Sequence, residues 1–433
     1  MCESLEKNNI ELKTLPLGDL LGLELNSNDE NKPIIPFEND YNLAIPDYQR
    51  IYCWDEKNVI KLLEDINDYA DKKYHLGTII LHKKDNKYDI VDGQQRLVTL
   101  SLLLLELNKN INTKILNEKF KSIEAQNYIA YNKWLIKVFC EKNNIISNII
   151  DNLQFSVLII NEGSLDLAYT FFSNQNSRGK SLTDYDLLKA HHLRYIYIPE
   201  QAKHLAERWD SIILSSDNDD CTKDLGRTLG IYLFRLRKWM QKQEWSNDKK
   251  HKVKDEFEAA PIINGIPPFG EQFQFYESIQ GGTHFFAYAD YFIYKYRMFS
   301  ETNEYKTLQK HLQREKHWWY KDIIEAFLFA YYIKFGTIYL TDALIGIIHI
   351  ISKHRYDTSR AYLKSLLKMA GDSELIMMID QATSPTFFLA KMKNIIKRQD
   401  NIANFEGTRM RYKYHVEKII KEIKIDCYSI INY

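Results

Sequence analysis

The chain has 433 residues, 45% of them hydrophobic, and 58 Lys+Arg balance 58 Asp+Glu to a formal net charge of zero. That length allows two or three domains with sizeable cores, and the balance excludes a polycation built to coat nucleic acid. The five cysteines (Cys2, Cys53, Cys140, Cys221, Cys427) are scattered without a CxxC pair, which argues against a disulfide framework or zinc knuckle and fits a reducing compartment.

The first 44 residues are mixed, with a polar tract at 26–32. Pro46 and the following Tyr-Gln-Arg predict an extended segment leading to Trp54. Asp55 then caps a helix over 56–73, with Val59, Ile60, Leu63, Ile66 and Tyr69 on one face. Residues 74–82 read as a strand and 87–91 as its partner, joined by a Lys84-Asp85-Asn86 turn. A helix over 94–109 follows, then one over 124–140 and a buried strand from Phe155 to Ile160. Helices at 165–173 and 183–197 flank the loop Asn176–Gly179. Thr183 is placed to cap the second, with Asp186 in capping-box position.

From residue 199 onward the pattern is almost wholly helical, at 200–215, 222–243, 284–300, 304–315, 318–334, 338–354, 358–369, 384–397 and 408–423. A polar stretch at 246–254 and a Pro/Gly-rich stretch at 261–282 interrupt it. The expected fold is therefore α+β and predominantly helical: a small mixed α/β domain over 1–200, then an all-α half over 201–433 with an internal break near 246–282. No fixed-period repeat is present. The most apolar run, Leu97 to Leu107, is too short for a bilayer and carries Glu106, and the N-terminus shows no apolar signal region. A soluble, cytoplasmic protein without a membrane partner is expected.

Charge is unevenly spread. Residues 301–433 hold 21 Lys+Arg against 15 Asp+Glu, so residues 1–300 hold 37 against 43. The basic residues cluster at 351–368 and 391–424. Solvated helix surfaces are the simpler reading of that excess, and a nucleic-acid face is the other.

The chemistry concentrates in Asp92-Gly93-Gln94-Gln95-Arg96, between the apolar Ile90-Val91 and a strongly apolar helix. A strand that turns through glycine into a helix leaves backbone N–H groups at the helix start, an end that attracts phosphate. Gly93 lets the backbone approach a ligand, Arg96 can fork onto phosphate oxygens, and Asp92 can hold a metal or orient a water. A polar cap on a core helix is the plainer reading, although five consecutive polar or glycine residues exceed what a cap requires. Upstream, Gln49-Arg50 precedes Tyr52 and Trp54, where a stacked arginine serves as an anion clamp or as packing. Downstream, Asn176 and Gly179 suit either a second phosphate or base contact or merely a tight turn. Asp186 and Lys189 lie at i, i+3 on one helix, where an ordinary surface ion pair is the default. His191-His192 point about 100° apart on a helix with no third ligand at helical spacing, so a metal role for them is set aside.

Four blocks occur in order: Ile45–Trp54, Leu76–Leu81, Val91–Leu97 with its DGQQR motif, and Phe172–Ala190. Together they resemble the N-terminal domain of GmrSD-type restriction proteins, a distant relative of ParB and sulfiredoxin. The resemblance covers the first half of the chain well and the second half only in its helical character. It implies a nucleotide-binding, NTP-hydrolysing subunit of an anti-phage or modified-DNA restriction system, working with Mg²⁺. Asp92, Gln95 and Arg96 are then the catalytic candidates, with Asp92 also the metal ligand. Gln49, Arg50, Gly93, Gln94, Asn176, Gly179 and Lys189 are the nucleotide-binding candidates. Many such chains carry a C-terminal HNH-like nuclease unit. Here His349 and His354 fall in helical patterns and His415 on a terminal helix, and no such unit is found. The expected partners are a nucleoside triphosphate, DNA, and a separate nuclease chain or a second copy. A non-hydrolysing nucleotide switch, a structural interaction subunit and an endonuclease with an unrecognised site remain open alternatives.

Overall fold

The computed structural model describes residues 10–23, 42–69, 72–84, 87–108, 113–117, 120, 122–143, 149–161, 165–174, 182–214, 223–243, 252–258, 273–313, 317–358, 360–397 and 406–431. The chain divides into two compact units, Met1–Leu214 and Ser215–Tyr433. The fold is α+β and predominantly helical, with a mixed sheet in the first part and a largely helical second half.

In the first unit the elements run β1 (Ile10–Pro16), α1 (Leu17–Leu20), β2 (Asn42–Ala44), α2 (Glu56–Asp68), β3 (Tyr74–Lys84), β4 (Lys87–Asp92) and α3 (Gln94–Leu107). A 3₁₀ turn (Lys114–Asn117) precedes α4 (Ile123–Lys142), α5 (Ile149–Asn152), β5 (Leu153–Ile160), α6 (Leu165–Asn174), α7 (Asp184–Leu193) and α8 (Pro199–Leu214). The sheet has the order β1-β5-β3-β4-β2. The β3–β4 hairpin and the β1–β5 pair are antiparallel, whereas β3 lies parallel to β5 and β2 parallel to β4. Strands β1 and β2 were not expected. β1 has three exposed residues at its start, including Leu12 at 70% exposure, and β2 spans three residues, so neither carries a clear period-2 signature.

Helix α3 is apolar on every side, and Leu97, Val98, Leu100, Leu102, Leu103 and Leu104 are all buried. A helix of that kind belongs in the middle of a core. It packs against α4, and shares one buried cluster with Val59, Leu62, Leu63 and Ile66 of α2, Leu135 and Ile136 of α4, and the β-strand residues Ile79, Leu81, Ile90, Phe155 and Val157. Asp55 caps α2 by accepting from Asn58 N–H. That helix ends at Asp68 rather than 73, and Tyr69 lies beyond it, 48% exposed and stacked on Tyr74 at 4.5 Å. Thr183 and Asp186 form the expected capping box on α7, which stops at Leu193. Part of the Lys84–Asn86 turn lies outside the described residues.

The second unit contains α9 (Lys223–Leu225), a π-helix (Gly226–Leu233), α10 (Phe234–Met240), α11 (Lys252–Phe257), α12 (Thr283–Ser300) and α13 (Asn303–Leu312). It continues with α14 (Trp318–Phe335), α15 (Leu340–Asp357), α16 (Leu363–Asp372), α17 (Leu375–Gln381), α18 (Pro385–Lys397) and α19 (Thr408–Ile431). Helix α14 is the hub, touching the π-helix, α10, α12, α13, α15, α16 and α17. Trp239 of α10 stacks on its Phe327 at 4.6 Å and 11°, and donates to Leu367 O of α16. The helix expected over 222–243 runs without a gap from Lys223 to Met240, and its middle, Gly226–Leu233, is wound as a π-helix. The short α17 was not anticipated. The Pro/Gly-rich stretch lies mostly outside the described residues. No helix among the described residues is long and apolar enough to cross a membrane.

Candidate functional site

Strand β4 ends at Asp92, and Gly93 turns the chain into α3 with φ 102°, in the left-handed region. A Cβ at this position would stand 2.2 Å from Ile79 Cδ1 on β3, so both the backbone angle and the close approach to the sheet require glycine. No side chain caps the first turn of α3. Gln94 is buried, and among the described residues its Oε1 has no hydrogen-bond partner, an acceptor left unsatisfied at the start of the helix. Replacing Gly93 with alanine is expected to destabilise this unit by about 1–3 kcal/mol. A thermal melt would register that as a drop of several degrees, and an unchanged melting temperature would show that Ile79 yields freely.

Arg96 reaches back across the turn. Its Nη1 donates to Leu76 O at 3.2 Å, and its Nη2 to Thr78 O at 2.6 Å and to Asp92 Oδ2 at 3.2 Å. The two carbonyls flank Gly77, which has φ 108°, where the β3–β5 register shifts. Arg96 therefore seals an irregularity in β3 with the same guanidinium that neutralises Asp92. Burial pushes the Asp92 carboxyl above the usual carboxylate range, while Arg96, the Gly93 N–H and Arg50 pull the other way. About a third of the Asp92 side chain is exposed, so this carboxylate has access to the surface.

The segment before Trp54 does not run extended from Pro46, as expected, but first makes a turn closed by Gln49 N–H donating to Pro46 O at 3.0 Å, and two carboxamides fasten it to the end of β4 and the start of α3. Gln49 Nε2 donates to Ile90 O at 2.9 Å and Val91 O at 2.6 Å, at the end of β4. Gln95 accepts from Cys53 N–H at 2.9 Å and donates to Ile51 O at 3.1 Å. The Tyr52 hydroxyl pairs with Thr99 Oγ1 at 2.8 Å, and Asn132 Nδ2 donates to that hydroxyl and to Trp54 O. Gln49 and Gln95 are thus backbone clamps that fix the segment carrying Arg50, whose charge reaches Asp92.

Lys189 is not a surface cation paired with Asp186. Asp186 is taken up by the cap of α7, accepting from Thr183 N–H and Oγ1. Lys189, 1% exposed, donates to Gln49 O at 3.0 Å and to Asp210 Oδ2 of α8 at 2.9 Å. Burial raises the Asp210 carboxyl and Lys189 opposes it. A buried lysine needs such a partner, and Asp210 is the residue that sequence reasoning missed. It lies 21 positions away on a different helix, so no local spacing announces it. The structure brings together Gln49, Arg50, Asp92, Gly93, Gln94, Gln95, Arg96 and Lys189. Asn176 and Gly179 lie outside the described residues. His192 is buried and His191 half-buried, with their rings 4.9 Å apart at 84°.

The first unit is therefore a mixed α/β domain whose sheet delivers a strand-end carboxylate and a left-handed glycine to an uncapped helix start. Residues 31–193 match the model of the GmrSD restriction endonuclease, N-terminal domain. Residues 263–407 match the model of a family of unknown function (DUF7834), and no HNH domain was found. No curated protein matches the chain.

Proposed function

We propose that the Asp92–Arg96 turn binds the phosphates of a nucleoside triphosphate and promotes their hydrolysis, as the regulatory step of a GmrSD-type restriction system. The observation that carries this reading is the uncapped, glycine-led start of α3 beside a partly exposed Asp92 and the orphaned Gln94 Oε1. Helix-start amides attract phosphate oxygens, and Arg50 adds a cation whose charge is felt at Asp92. Among the described residues no group of three or more His, Cys, Asp or Glu side chains is placed to hold a metal. A single carboxylate suits Mg²⁺ that arrives with the nucleotide, keeps its waters and is held largely by phosphates. Asp92 is the residue that would hold it, and the bound ion would neutralise charge on the phosphates.

Residue roles shift accordingly. Asp92 orients the attacking water or meets the ion, Gly93 and Gln94 line the phosphate, and Arg50 is the clamp. Arg96 keeps Asp92 ionised and in place, while Gln49, Gln95 and Lys189 fix the geometry from behind. Cutting of DNA is assigned to a separate nuclease chain that this subunit gates.

The test is phosphate release from ATP, GTP, CTP and UTP with Mg²⁺, by wild type and Asp92→Asn. The isosteric substitution removes the charge and is expected to lower release by about 10²–10³-fold, the scale of losing one electrostatic contact to a transition state. Nucleotide binding without release by the wild type would favour a non-hydrolysing switch. Neither binding nor release would sink the proposal.

A further inference from the structure

Helix α19 lies beyond both matched segments. Tyr412, Val416, Ile419 and Ile423 form its buried stripe, packed toward α13 and α15. Around the remaining surface the charges are lopsided. Its two acids with described side chains are already engaged: Glu422 with Lys310 and His311 at 2.8 Å each, and Glu417 with Lys413 at 3.8 Å. Arg411, Lys418, Lys421 and Lys424 are exposed and form no ion pair among the described residues.

Arg411, Tyr414, Lys418 and Lys421 fall at i, i+3, i+7 and i+10, one face of the helix turned away from the buried stripe. Tyr414 is 55% exposed, and Lys418 Nζ lies 4.4 Å from its ring centroid. An exposed tyrosine flanked by cations offers a hydrogen-bonding hydroxyl and a ring to a polyanion, neither of which a purely solvated face needs. The positive field extends to neighbouring α15, where burial and then the Lys424 charge hold the His349 imidazole below its ordinary value.

We propose that this face of α19 binds the phosphate backbone of duplex DNA. Charge complementarity selects a nucleic acid, and the choice of DNA rests on the restriction reading above. The face runs about 15 Å along the helix axis, room for roughly three phosphate contacts on one strand. Contacts of this kind carry no base preference, so the binding is sequence-independent and salt-sensitive.

The experiment is fluorescence anisotropy of the full chain with a labelled duplex of about 25 base pairs, read across a salt series. Three phosphate contacts predict an affinity loss of about 40-fold between 50 and 200 mM salt. The Arg411→Gln/Lys418→Gln/Lys421→Gln variant should lose at least about 10-fold in affinity and most of the salt slope, and Tyr414→Ala should lose less. These positions are exposed, and an Arg411→Glu/Lys418→Glu/Lys421→Glu variant supplies a stronger version. A Lys57→Gln/Lys61→Gln/Lys133→Gln variant removes the same charge from exposed positions on α2 and α4 and should bind as wild type. Equal losses in both glutamine variants, no binding by wild type, or tighter binding to RNA of the same sequence would each overturn the proposal. Phosphate release measured on the same samples without DNA should be unchanged in the α19 variants. Failure of the nucleotide reading therefore shows as absent release, and failure of this surface as absent or misplaced DNA binding.

Discussion

Arg96→Ala is expected to abolish phosphate release and to destabilise the first unit together, because one guanidinium serves both the sheet and the site. Its loss leaves Leu76 O and Thr78 O, both half-buried, without this donor on either side of Gly77, and losing such a hydrogen bond costs about 0.5–1.5 kcal/mol. It also removes the largest influence opposing burial at Asp92, so that carboxyl rises further toward the neutral form. Without the Arg96 contact Asp92 also loses the partner that fixes its orientation at the turn, and release should fall by at least about 10²-fold. Arg96→Lys is no rescue, since a single ammonium lacks the planar fork that spans two carbonyls and a carboxylate. The paired readout is a melting curve and an initial rate for both variants. A stable Arg96→Ala protein with wild-type release would show that the turn is only a structural joint.

The sequence made the Asp92–Arg96 turn conspicuous because several signals coincide there: a strand end, a glycine, a run of polar residues and a long apolar helix. The β3–β4 hairpin, the Thr183–Asp186 capping box and most helices from 199 onward were legible for the same reason, since each is a local pattern of caps and periodicity. What stayed hidden depends on distant partners. Gln49 and Gln95 look like ligand contacts, because a carboxamide beside a helix start suits a phosphate as well as a backbone. Only the fold reveals that they bond to Ile90 O, Val91 O, Ile51 O and Cys53 N–H across more than 40 residues of sequence. Lys189 read by its spacing as a surface cation paired with Asp186 and, through the resemblance, as a nucleotide contact. Its actual partners, the Gln49 carbonyl and Asp210, are set by how α7 and α8 meet the segment before Trp54.

The π-helix is a second case in which a tertiary demand overrides a local pattern, and it leads to the other large effect. In an α-helix, residues five apart point about 140° away from each other. The wider π turn, with its i to i+5 bonding, brings them to one face. Arg227 and Tyr232 use that geometry to reach the same carboxylate, Glu325 of α14. Arg227 Nη1 lies 3.3 Å from Glu325 Oε2, and the Tyr232 hydroxyl donates to that oxygen at 2.7 Å. Gln309 Nε2 donates to Oε1 at 2.7 Å, while Lys321 lies at 3.9 Å and Asp322 shares Arg227. Nothing in the sequence from 226 to 233 announces a π segment, and the carboxylate that its two residues share lies almost 100 residues further on.

Burial pushes the Glu325 carboxyl up to about 7, with Lys321 and Arg227 opposing and Asp322 adding to the rise. The folded chain thus holds this proton more tightly than the unfolded chain does. The associated stability is fully present below the ordinary glutamate value of 4.5 and is lost as pH rises to about 7. Glu325→Gln keeps an acceptor for Tyr232 but cannot titrate. The difference in unfolding free energy between wild type and Glu325→Gln should fall by a few kcal/mol between pH 4.5 and 7, then stay flat above about pH 8. Urea titrations of both proteins at unit steps from pH 4 to 8 measure it, and taking the difference cancels the other groups that titrate in common. Parallel curves across that window would mean that Glu325 stays ionised throughout, held so by Arg227 and Lys321. In that case Glu325→Ala should be the more damaging change, costing about 1–3 kcal/mol by taking the acceptor from the buried Tyr232 hydroxyl, while half-buried Arg227 keeps Asp322.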